Sequence, residues 1–388
     1  MKKNIIIFLT TILIFSMSIF FFMSPDNNDT RTIKIGGIFD MTGETSDIGL
    51  AYSHGVIEYI NYVNFSGGIN GRKVELIYTD YKYQIPLALN FYKKITTIDK
   101  VLAIIGWGTG DTLALAPVVN QDKIPYTSAS FDESFSNPAK YPYNFIIGPT
   151  YQDQIKILMN HILKVHGKNA KIAIFYHNSA FGKAPLEAAK IHSREIGLNI
   201  FENVAMLEDL NIKAKISELE KKKVVAIIVQ NLPYPTYTIA NACFELKSKI
   251  KLYGLIYSVN QDIIKFKPEA FDQFTHASPF AFYFNENEYL KSILKFNSNI
   301  NSMTRRFYMG WVNAMVLLEG IKRVKGELTG EKIKNSLETI TDFSTNGLTD
   351  NITFNLHSHK GLSRLKLYIY DSQEKKFIPI TGYIKVNN

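Results

Sequence analysis

The sequence predicts an α/β protein of two doubly wound lobes, preceded by a hydrophobic N-terminal segment. Three observations favour this fold. Residues 33–72 read as a strand, a loop, an amphipathic helix and a tight return, which is the βαβ unit that opens a doubly wound sheet. Residues 101–105 and 224–229 are short unbroken apolar runs, as expected of parallel strands covered on both faces. The alternation of strand-like and helical periods then occurs twice along the chain.

After its first strand, the first lobe is predicted to continue with a helix that begins at Ser46 or Asp47. This helix ends at the glycine pair at 67–68, because glycine tolerates the left-handed conformation at a helix end. Four residues form its predicted apolar face: Leu50, Ile57, Ile60 and Val63. The further elements predicted here are strands at 73–79, 101–105, 124–127 and 145–147, and helices at 86–97 and 112–121.

The second lobe is predicted to open with the helix Tyr151–His166, which Gly167 ends. Strands follow at 171–176, 199–206, 224–229 and 252–256, and helices at 185–196, 212–221, 235–248 and 263–274. Later residues are expected to return to the first lobe with a strand at 280–284 and helices at 288–296, 304–325 and 331–339. The tail reads as strands at 351–355, 365–371 and 377–380.

Composition narrows the function classes. The 388 residues carry a formal net charge of +9 and are 46% hydrophobic, which is enough apolar material for a core in each lobe. Acidic and basic residues are interleaved and no stripe of basic and aromatic residues occurs, which argues against nucleic-acid binding. The single cysteine, Cys243, excludes an intrachain disulfide and fits a buried apolar position.

Residues 1–24 predict a signal peptide or a signal anchor. Lys2 and Lys3 precede an uncharged apolar run at 5–23, which as a helix spans about 28 Å, close to the thickness of a hydrocarbon core. The positive end stays in the cytoplasm, so the rest of the chain is expected in the periplasm. Both a cleaved signal and an uncleaved tether to the inner membrane stay open. The membrane is contacted only through this segment.

Five segments, taken in order, carry a resemblance to a known family. They are residues 33–43, the turn Gly-Gly-Ile-Asn-Gly-Arg at 67–72, the strand and loop at 104–110, the segment 124–130, and the segment 176–182. Together they resemble the periplasmic solute-binding proteins of ABC importers, of the type I leucine/isoleucine/valine-binding kind. The resemblance implies two lobes that are joined by three crossovers and close on a ligand like a hinge.

The crossovers are expected near 148–149, 275–276 and 346–350. They divide the exported chain into a first lobe of residues 31–148 with 276–346 and a second lobe of residues 149–275 with 347–388. The two lobes are expected to share one architecture without sharing a sequence.

The resemblance also implies that loops after the strands of both lobes hold the ligand. In the first lobe these loops contain Thr42, Gly43, Trp107, Thr109, Gly110, Ser128, Ser130 and Asp132, and in the second they contain Phe181, Tyr234 and Tyr257. Amino-acid binders of this family hold the ligand's ammonium group with an acid of the second lobe. The corresponding segment here, 254–260, has no acid, so the ligand stays open between an amino acid, an aromatic compound and another small carboxylate or amide.

Physical chemistry supports part of this site independently. Thr109 and Gly110 stand at a helix N-terminus, where free amide groups favour an anion. The hydroxyls of Ser128 and Ser130 would complete a cradle for a carboxylate. Trp107 follows a buried strand directly and is expected to face the cleft, where its ring would stack on a planar or apolar ligand.

Several candidates have structural alternatives. Thr109 or Asp111 can cap its own helix, and Asp132 can cap the turn that follows it. Tyr234 and Tyr257 can be ordinary surface or core residues. Asp111 beside the cradle also disfavours a purely anionic ligand.

The sequence contains no enzyme signature. The glycines at 106, 108 and 110 resemble a dinucleotide fingerprint, but Asp111 stands where the third fingerprint glycine is needed. No Walker loop and no Gly-x-Ser-x-Gly elbow occurs, and His357 and His359 lack a nearby third ligand for a metal. We therefore expect no catalysis, no cofactor and no bound metal.

The sequence thus predicts an exported receptor that captures a small molecule and delivers it to an ABC import permease. One alternative is the ligand-binding subunit of an extracytoplasmic sensor, which presents its ligand to a signalling partner. A Rossmann-type enzyme is a further alternative, which the failed glycine fingerprint disfavours.

Overall fold

The computed structural model describes residues 32–204, 211–281, 288–296 and 304–386. The signal segment predicted at 1–24 lies outside these residues. Among the residues described, no helix has both the length and the apolar composition needed to cross a membrane. The strand predicted at 280–284 also lies mostly outside them, and its two described residues, Phe280 and Ala281, belong to no strand.

The first lobe is built on a parallel sheet, five-stranded over the described residues. Its strands are β1 (Ile33–Phe39), β2 (Val74–Asp80), β3 (Ile104–Ile105), β4 (Tyr126–Ser128) and β5 (Asn144–Ile146). They pair in the order β2-β1-β3-β4-β5, with Ile33 opposite Val74 and Gly36 opposite Ile104. The winding direction reverses at β1, so the loops after β1 and β3 border a crevice at the carboxyl ends of the strands.

The second lobe repeats this winding. Its strands are β6 (Lys171–Tyr176), β7 (Asn199–Val204), β8 (Val224–Gln230), β9 (Lys251–Gly254), β10 (Thr275–Ser278), β11 (Lys366–Asp371) and β12 (Lys376–Pro379). Within the described chain they pair in the order β12-β11-β10-β9-β8-β6-β7. Strands β6 to β10 are parallel, and β11 and β12 add an antiparallel hairpin. The order β7-β6-β8-β9-β10 matches that of the first sheet, which confirms the predicted fold of two doubly wound lobes.

Helices cover both sheets, and several have the predicted bounds. In chain order they are α1 (Ser46–Phe65), α2 (Ile85–Lys94), α3 (Thr109–Gln121), α4 (Tyr151–His166), α5 (Ala180–Lys183), α6 (Leu186–Ile196), α7 (Ile212–Lys221), α8 (Pro233–Glu245), α9 (Gln261–Phe266), α10 (Glu288–Phe296), α11 (Arg305–Arg323) and α12 (Gly330–Leu337). Helices α4, α7 and α10 begin and end as predicted. The Thr150 hydroxyl accepts the Asp153 amide at 3.0 Å and caps α4, while Gly167 ends it with φ of 81°.

The predicted apolar face of α1 was wrong in part. Leu50 is 40% exposed, and the buried stripe consists of Ile48, Tyr52, Val56 and Ile60 at steps of four residues. The prediction weighed aliphatic side chains alone. The long helix α11 packs against the side of α1 that carries Tyr52 and Gly55, and this neighbour decides which side is buried.

The run at 101–105 is buried, but only Ile104–Ile105 forms a regular strand. The Leu102 amide still donates to the Lys34 carbonyl oxygen, and the Gly36 amide donates to that of Ala103, both at 2.9 Å. The run is therefore bonded to β1 along its length, but not in a continuous ladder.

The two sheets favour other positions than those predicted for two of the passages between lobes. Thr275–Ser278 is a strand of the second sheet, placed between β9 and β11, which favours a passage after Ser278 over the one expected at 275–276. Ile146 of β5 pairs with Lys360, and its carbonyl oxygen accepts the Gly361 amide at 2.8 Å. This pairing favours a passage after Gly361 over the one expected at 346–350. We propose a first lobe of 32–148 with 279–361 and a second lobe of 149–278 with 362–386.

Helices α1 and α11 approach each other closely at two glycines. A Cβ atom on Gly55 would lie 1.9 Å from the Phe307 carbonyl oxygen, and one on Gly310 would lie 1.9 Å from that of Tyr52. Only a residue without a side chain permits this backbone approach. The contact joins the start of the first lobe to its return segment.

Gly55→Ala should lower the free energy of unfolding by about 1–3 kcal/mol, the usual cost of overpacking. The clash with the Phe307 carbonyl oxygen outweighs the gain in helix propensity of about 1 kcal/mol that alanine brings. Urea unfolding measures the effect. Gly382→Ala is the matched control, because nothing lies within 4 Å of its Cβ position. A Gly55→Ala chain as stable as the wild type would contradict the close contact.

Candidate functional site

A small cavity lies between the two sheets at the carboxyl ends of their strands. The first lobe lines it with Thr45, Ile48, Tyr83, Trp107, Gly108, Thr109 and Ala129, and the second lobe lines it with Tyr151, Phe181, Leu232 and Tyr257. Most of these residues follow the end of a strand, where doubly wound sheets bind their ligands.

Three predicted aromatic residues meet in this cavity. The ring centroid of Tyr257 lies 6.0 Å from that of Trp107 and 5.6 Å from that of Phe181. The Trp107 indole Nε1–H donates to the Thr45 hydroxyl at 2.7 Å, and the Tyr257 hydroxyl donates to the Ala129 carbonyl oxygen of the first lobe. The polar atoms of both rings are therefore bonded within the protein, and the rings leave apolar surface for a ligand.

A cluster of hydroxyl groups forms the polar part of the cavity. The Thr109 and Ser130 hydroxyl oxygens lie 2.8 Å apart, and both groups bond the hydroxyl of Tyr151. Burial raises the pKa of Tyr151, so its phenol is neutral. The Ser128 hydroxyl accepts the Ser130 amide at 3.2 Å and supports the cluster from below. Hydroxyl groups donate and accept, so the cluster suits a neutral polar group.

The N-terminus of α3 already holds a carboxylate of the protein. Asp111 accepts the Tyr81 hydroxyl at 2.7 Å and the Gly108 amide at 3.2 Å. Burial raises the pKa of Asp111 to about 7. The alternative in which Asp111 caps its own helix is therefore what the structure contains. An anionic ligand would compete with this side chain for the same amide groups, which weakens the predicted carboxylate cradle.

Two arginines that the sequence analysis missed hold the loop that carries Tyr257. Arg305 and Arg306, at the start of α11, are buried and donate to the carbonyl oxygens of Ile256 and Val259. The Arg306 guanidinium lies 4.8 Å from the centroid of the Tyr257 ring. The sequence contained one signal of this role, which is a pair of adjacent arginines at the start of an apolar helix. A guanidinium that is buried with such a helix needs hydrogen-bond acceptors around it.

Five predicted residues of the first lobe, besides Asp132, lie outside the lining of the cavity. Ser128 and Ser130 contribute only through the hydroxyl cluster, and the other three are Thr42, Gly43 and Gly110. The Thr42 hydroxyl donates to the Asp80 carboxylate at 2.5 Å, and the Gly43 amide donates to Asp40 Oδ1 at 2.6 Å. These bonds shape the loop after β1. Gly110 lies in the first turn of α3 and faces a side chain of α2.

Two further predicted residues have the structural roles named as alternatives. Asp132 Oδ1 accepts the Ser134 amide at 2.9 Å and caps a short 3₁₀ turn. Tyr234 lies in the first turn of α8, is 49% exposed and packs against Tyr237. Neither residue lines the cavity.

The cavity also contains residues for which the sequence offered no clear signal. Thr45 and Tyr151 had no predicted role at the ligand. Tyr83 has φ of 58°, a left-handed conformation that is uncommon for a bulky residue. The tertiary structure alone brings these three residues together.

One polar contact between side chains links the two lobes beside the cavity. Glu44 belongs to the loop after β1, and His177 belongs to the loop after β6. Glu44 Oε1 lies 3.1 Å from His177 Nε2, and the side chain of Glu44 is 60% exposed. This pair exists only while the lobes are together.

The described residues contain no group of three or more His, Cys, Asp or Glu side chains arranged to hold a metal. His359 is fully buried. Its Nε2 lies 2.9 Å from Glu338 and its Nδ1 lies 2.9 Å from the Asn144 carbonyl oxygen. Burial raises the pKa of Cys243 to about 12, so this thiol is not activated.

Comparison with known proteins identifies the family. A model of the family described as Periplasmic binding protein matches residues 32–375. The chain belongs to the periplasmic binding protein family. The match covers both lobes and confirms the predicted resemblance. Membership implies that this periplasmic binding protein works outside the cytoplasm.

Solved structures similar to this periplasmic binding protein share its fold. A branched-chain amino acid ABC transporter from Thermus thermophilus with bound valine has a TM-score of 0.86 at 23% identity, over 92% of this chain and 97% of that chain. A fatty acid ABC transporter substrate-binding protein from Thermomonospora curvata has a TM-score of 0.81 at 19% identity, over 92% of this chain and 93% of that chain. Likeness at these identities establishes the fold alone.

A curated relative matches part of the chain. Leu/Ile/Val-binding protein homolog 7 of Brucella abortus (strain 2308) is 22% identical over 178 residues, which are 43% of this chain and 44% of that protein. The match thus spans less than half the length of this relative. By their names, the relative from Thermomonospora curvata and the relative from Brucella abortus are binding proteins.

Asp111→Asn should remove a pH dependence of stability. The pKa of Asp111 rises from 3.8 to about 7 on folding, so the folded chain binds a proton that the unfolded chain releases. This stabilisation is fully present below about pH 4 and is lost as the pH rises through about 7.

Urea unfolding of the wild type and of Asp111→Asn at several pH values measures this effect. The wild type should lose stability relative to the variant as the pH rises from about 4 to about 8. Other titrating groups are common to both chains and cancel in the difference. A constant difference across this range would show that Asp111 is ionised throughout.

Proposed function

We propose that this periplasmic binding protein is an exported receptor that captures a small molecule between its lobes and delivers it to an ABC import permease. The observation that carries the proposal is the cavity in which Trp107 of the first lobe meets Phe181 and Tyr257 of the second. Binding there is coupled to closure, because a ligand contacts both lobes only when they are together.

Direct bonds between the lobes support a hinge mechanism. The Tyr257 hydroxyl bonds the Ala129 carbonyl oxygen, and Glu44 pairs with His177 at 3.1 Å. Both bonds are lost when the lobes separate, and water then solvates their partners. A ligand adds its own contacts to the closed arrangement only. The closed form is therefore the loaded form, which a permease can distinguish from the open one.

We assign the ligand contacts to four of the predicted residues, Trp107, Thr109, Phe181 and Tyr257, and Ser130 bonds Thr109 from outside the lining. Ser128 supports the hydroxyl cluster from the strand end. The names of the similar structures support a small organic ligand, since one was solved with valine and another belongs to a fatty acid transporter. An amino acid, an aromatic compound or another small carboxylate or amide fits this assignment. Residues 5–23 would export the chain or tether it to the inner membrane.

A thermal-shift screen of residues 31–388 tests the receptor function. The library contains amino acids, aromatic acids, amides and short carboxylates. A ligand at about 100 times its dissociation constant adds about 2.7 kcal/mol to the free energy of unfolding. A chain that no compound stabilises, and that turns over a substrate with a cofactor, would be an enzyme of the Rossmann type.

Phe181→Ala should weaken binding of the best compound by at least about tenfold, because it removes a buried ring from the cavity wall. Titration calorimetry measures the dissociation constant. Tyr234→Ala is the matched control, since this aromatic residue of the same lobe is 49% exposed and lies outside the lining. Equal affinities of the two variants would place the ligand elsewhere.

Delivery is tested separately with an ABC import permease of the same organism in proteoliposomes. The loaded receptor should stimulate ATP hydrolysis more than the unloaded one, because only the loaded receptor is predominantly closed. A sensor subunit would bind the same ligand but leave the ATPase rate unchanged.

A further inference from the structure

The lining of the cavity carries no charged side chain. Its described residues are hydroxyl-bearing, aromatic, aliphatic or glycine, and none is an Asp, Glu, Lys, Arg or His. The lining offers a ligand the hydroxyl groups of Thr109, Tyr151 and Tyr83, and Ser130 bonds Thr109 from outside the lining. A ligand in this cavity therefore meets apolar rings and neutral hydroxyl groups.

Two acidic groups near the cavity, Asp111 and Asp40, have partners within the protein. Asp111 accepts the Tyr81 hydroxyl and the Gly108 amide. Asp40 accepts the amide of Gly43 and both the amide and the hydroxyl of Thr45. These carboxylates organise the strand-end loops and do not line the cavity, so they are not placed to receive a cation from a ligand.

The Arg306 guanidinium and the pair formed by Glu44 and His177 also have their partners within the protein. Arg306 donates to the carbonyl oxygens of Ile256 and Val259, and its guanidinium lies 4.8 Å from the centroid of the Tyr257 ring. Glu44 is paired with His177 at 3.1 Å. None of these three residues is part of the lining.

A charged ligand would lose its hydration in this cavity without gaining a counter-charge. Burial of an unpaired ammonium or carboxylate costs far more than burial of a hydrogen-bonded neutral group. A neutral amide, carbonyl or hydroxyl loses less hydration, and the hydroxyl cluster replaces its bonds to water.

We propose that the ligand is a small uncharged molecule with an apolar, planar or branched body and one amide, carbonyl or hydroxyl group. The inference rests on the proposed receptor function and narrows its ligand class. The body packs between Trp107, Phe181 and Tyr257, and the polar group bonds the hydroxyl cluster. Amino acids and simple carboxylates are then poor ligands.

Sets of compounds with one shape and different charge test this inference. Benzamide, benzoate and benzamidine are neutral, anionic and cationic at neutral pH, and 4-methylpentanamide, 4-methylpentanoate and leucine form a second set on a branched body. Titration calorimetry gives each dissociation constant. We expect each amide to bind at least about tenfold more tightly than the charged members of its set.

A substitution that adds a charge to the lining of the cavity provides a second test of this inference. Leu232→Glu adds a carboxylate to the lining and should reverse the order within the first set, so that benzamidine binds more tightly than benzamide. Tyr234→Glu is the matched control, because it adds the same charge outside the lining and should keep the wild-type order. The ratio of two dissociation constants is read within one variant, so a general loss of stability does not imitate the result.

The outcomes separate this inference from the receptor function. Tighter binding of benzoate, benzamidine, 4-methylpentanoate or leucine by the wild type overturns the uncharged ligand and leaves the receptor standing. Failure of every compound in both sets also overturns the inference. The receptor function then stands or falls by the wider screen of the preceding subsection.

Discussion

The arrangement of this protein depends on the contact through which Tyr257 joins the two lobes. The ring of Tyr257 packs between Trp107 and Phe181, and its hydroxyl bonds the Ala129 carbonyl oxygen across the interface. Arg306 donates to the backbone of the same loop, and its guanidinium lies 4.8 Å from the centroid of the ring. One residue of the second lobe, which lines the cavity, is thus held by groups of the first.

The same arrangement keeps charge away from the space between the lobes. Asp111 caps α3, and its burial raises the pKa of this carboxyl to about 7. Arg305 and Arg306 bond backbone carbonyl groups. Such charges are stabilised inside a protein only when they are hydrogen-bonded or paired. These charged side chains bond groups of the protein itself, and the surface that lines the cavity is neutral.

The sequence predicted the position of the site more accurately than it predicted the role of each residue in the site. Trp107 was foreseen at the cavity because it directly follows a buried strand, and this position dictates a place at the carboxyl end of the sheet. Asp132 and Tyr234 follow strands as well, but one caps a turn and the other faces solvent. The direction of a loop side chain depends on the loop's own hydrogen bonds and on residues distant in sequence. The roles of Tyr151 and Arg306 were invisible for the same reason.

Local patterns were sufficient for the type and order of most elements, because hydrophobic period and capping residues act over a few neighbours. They predicted α4, α7 and α10 with their observed bounds, and two lobes of one architecture. Which sheet a segment joins was decided only in three dimensions. Thr275–Ser278 entered the second sheet, and the segment ending at Gly361 bonded the edge of the first. Strand pairing joins segments that are distant in sequence, and more than one sheet edge is available to each segment. The neutrality of the cavity likewise depends on bonds between charged side chains and groups that are distant in sequence.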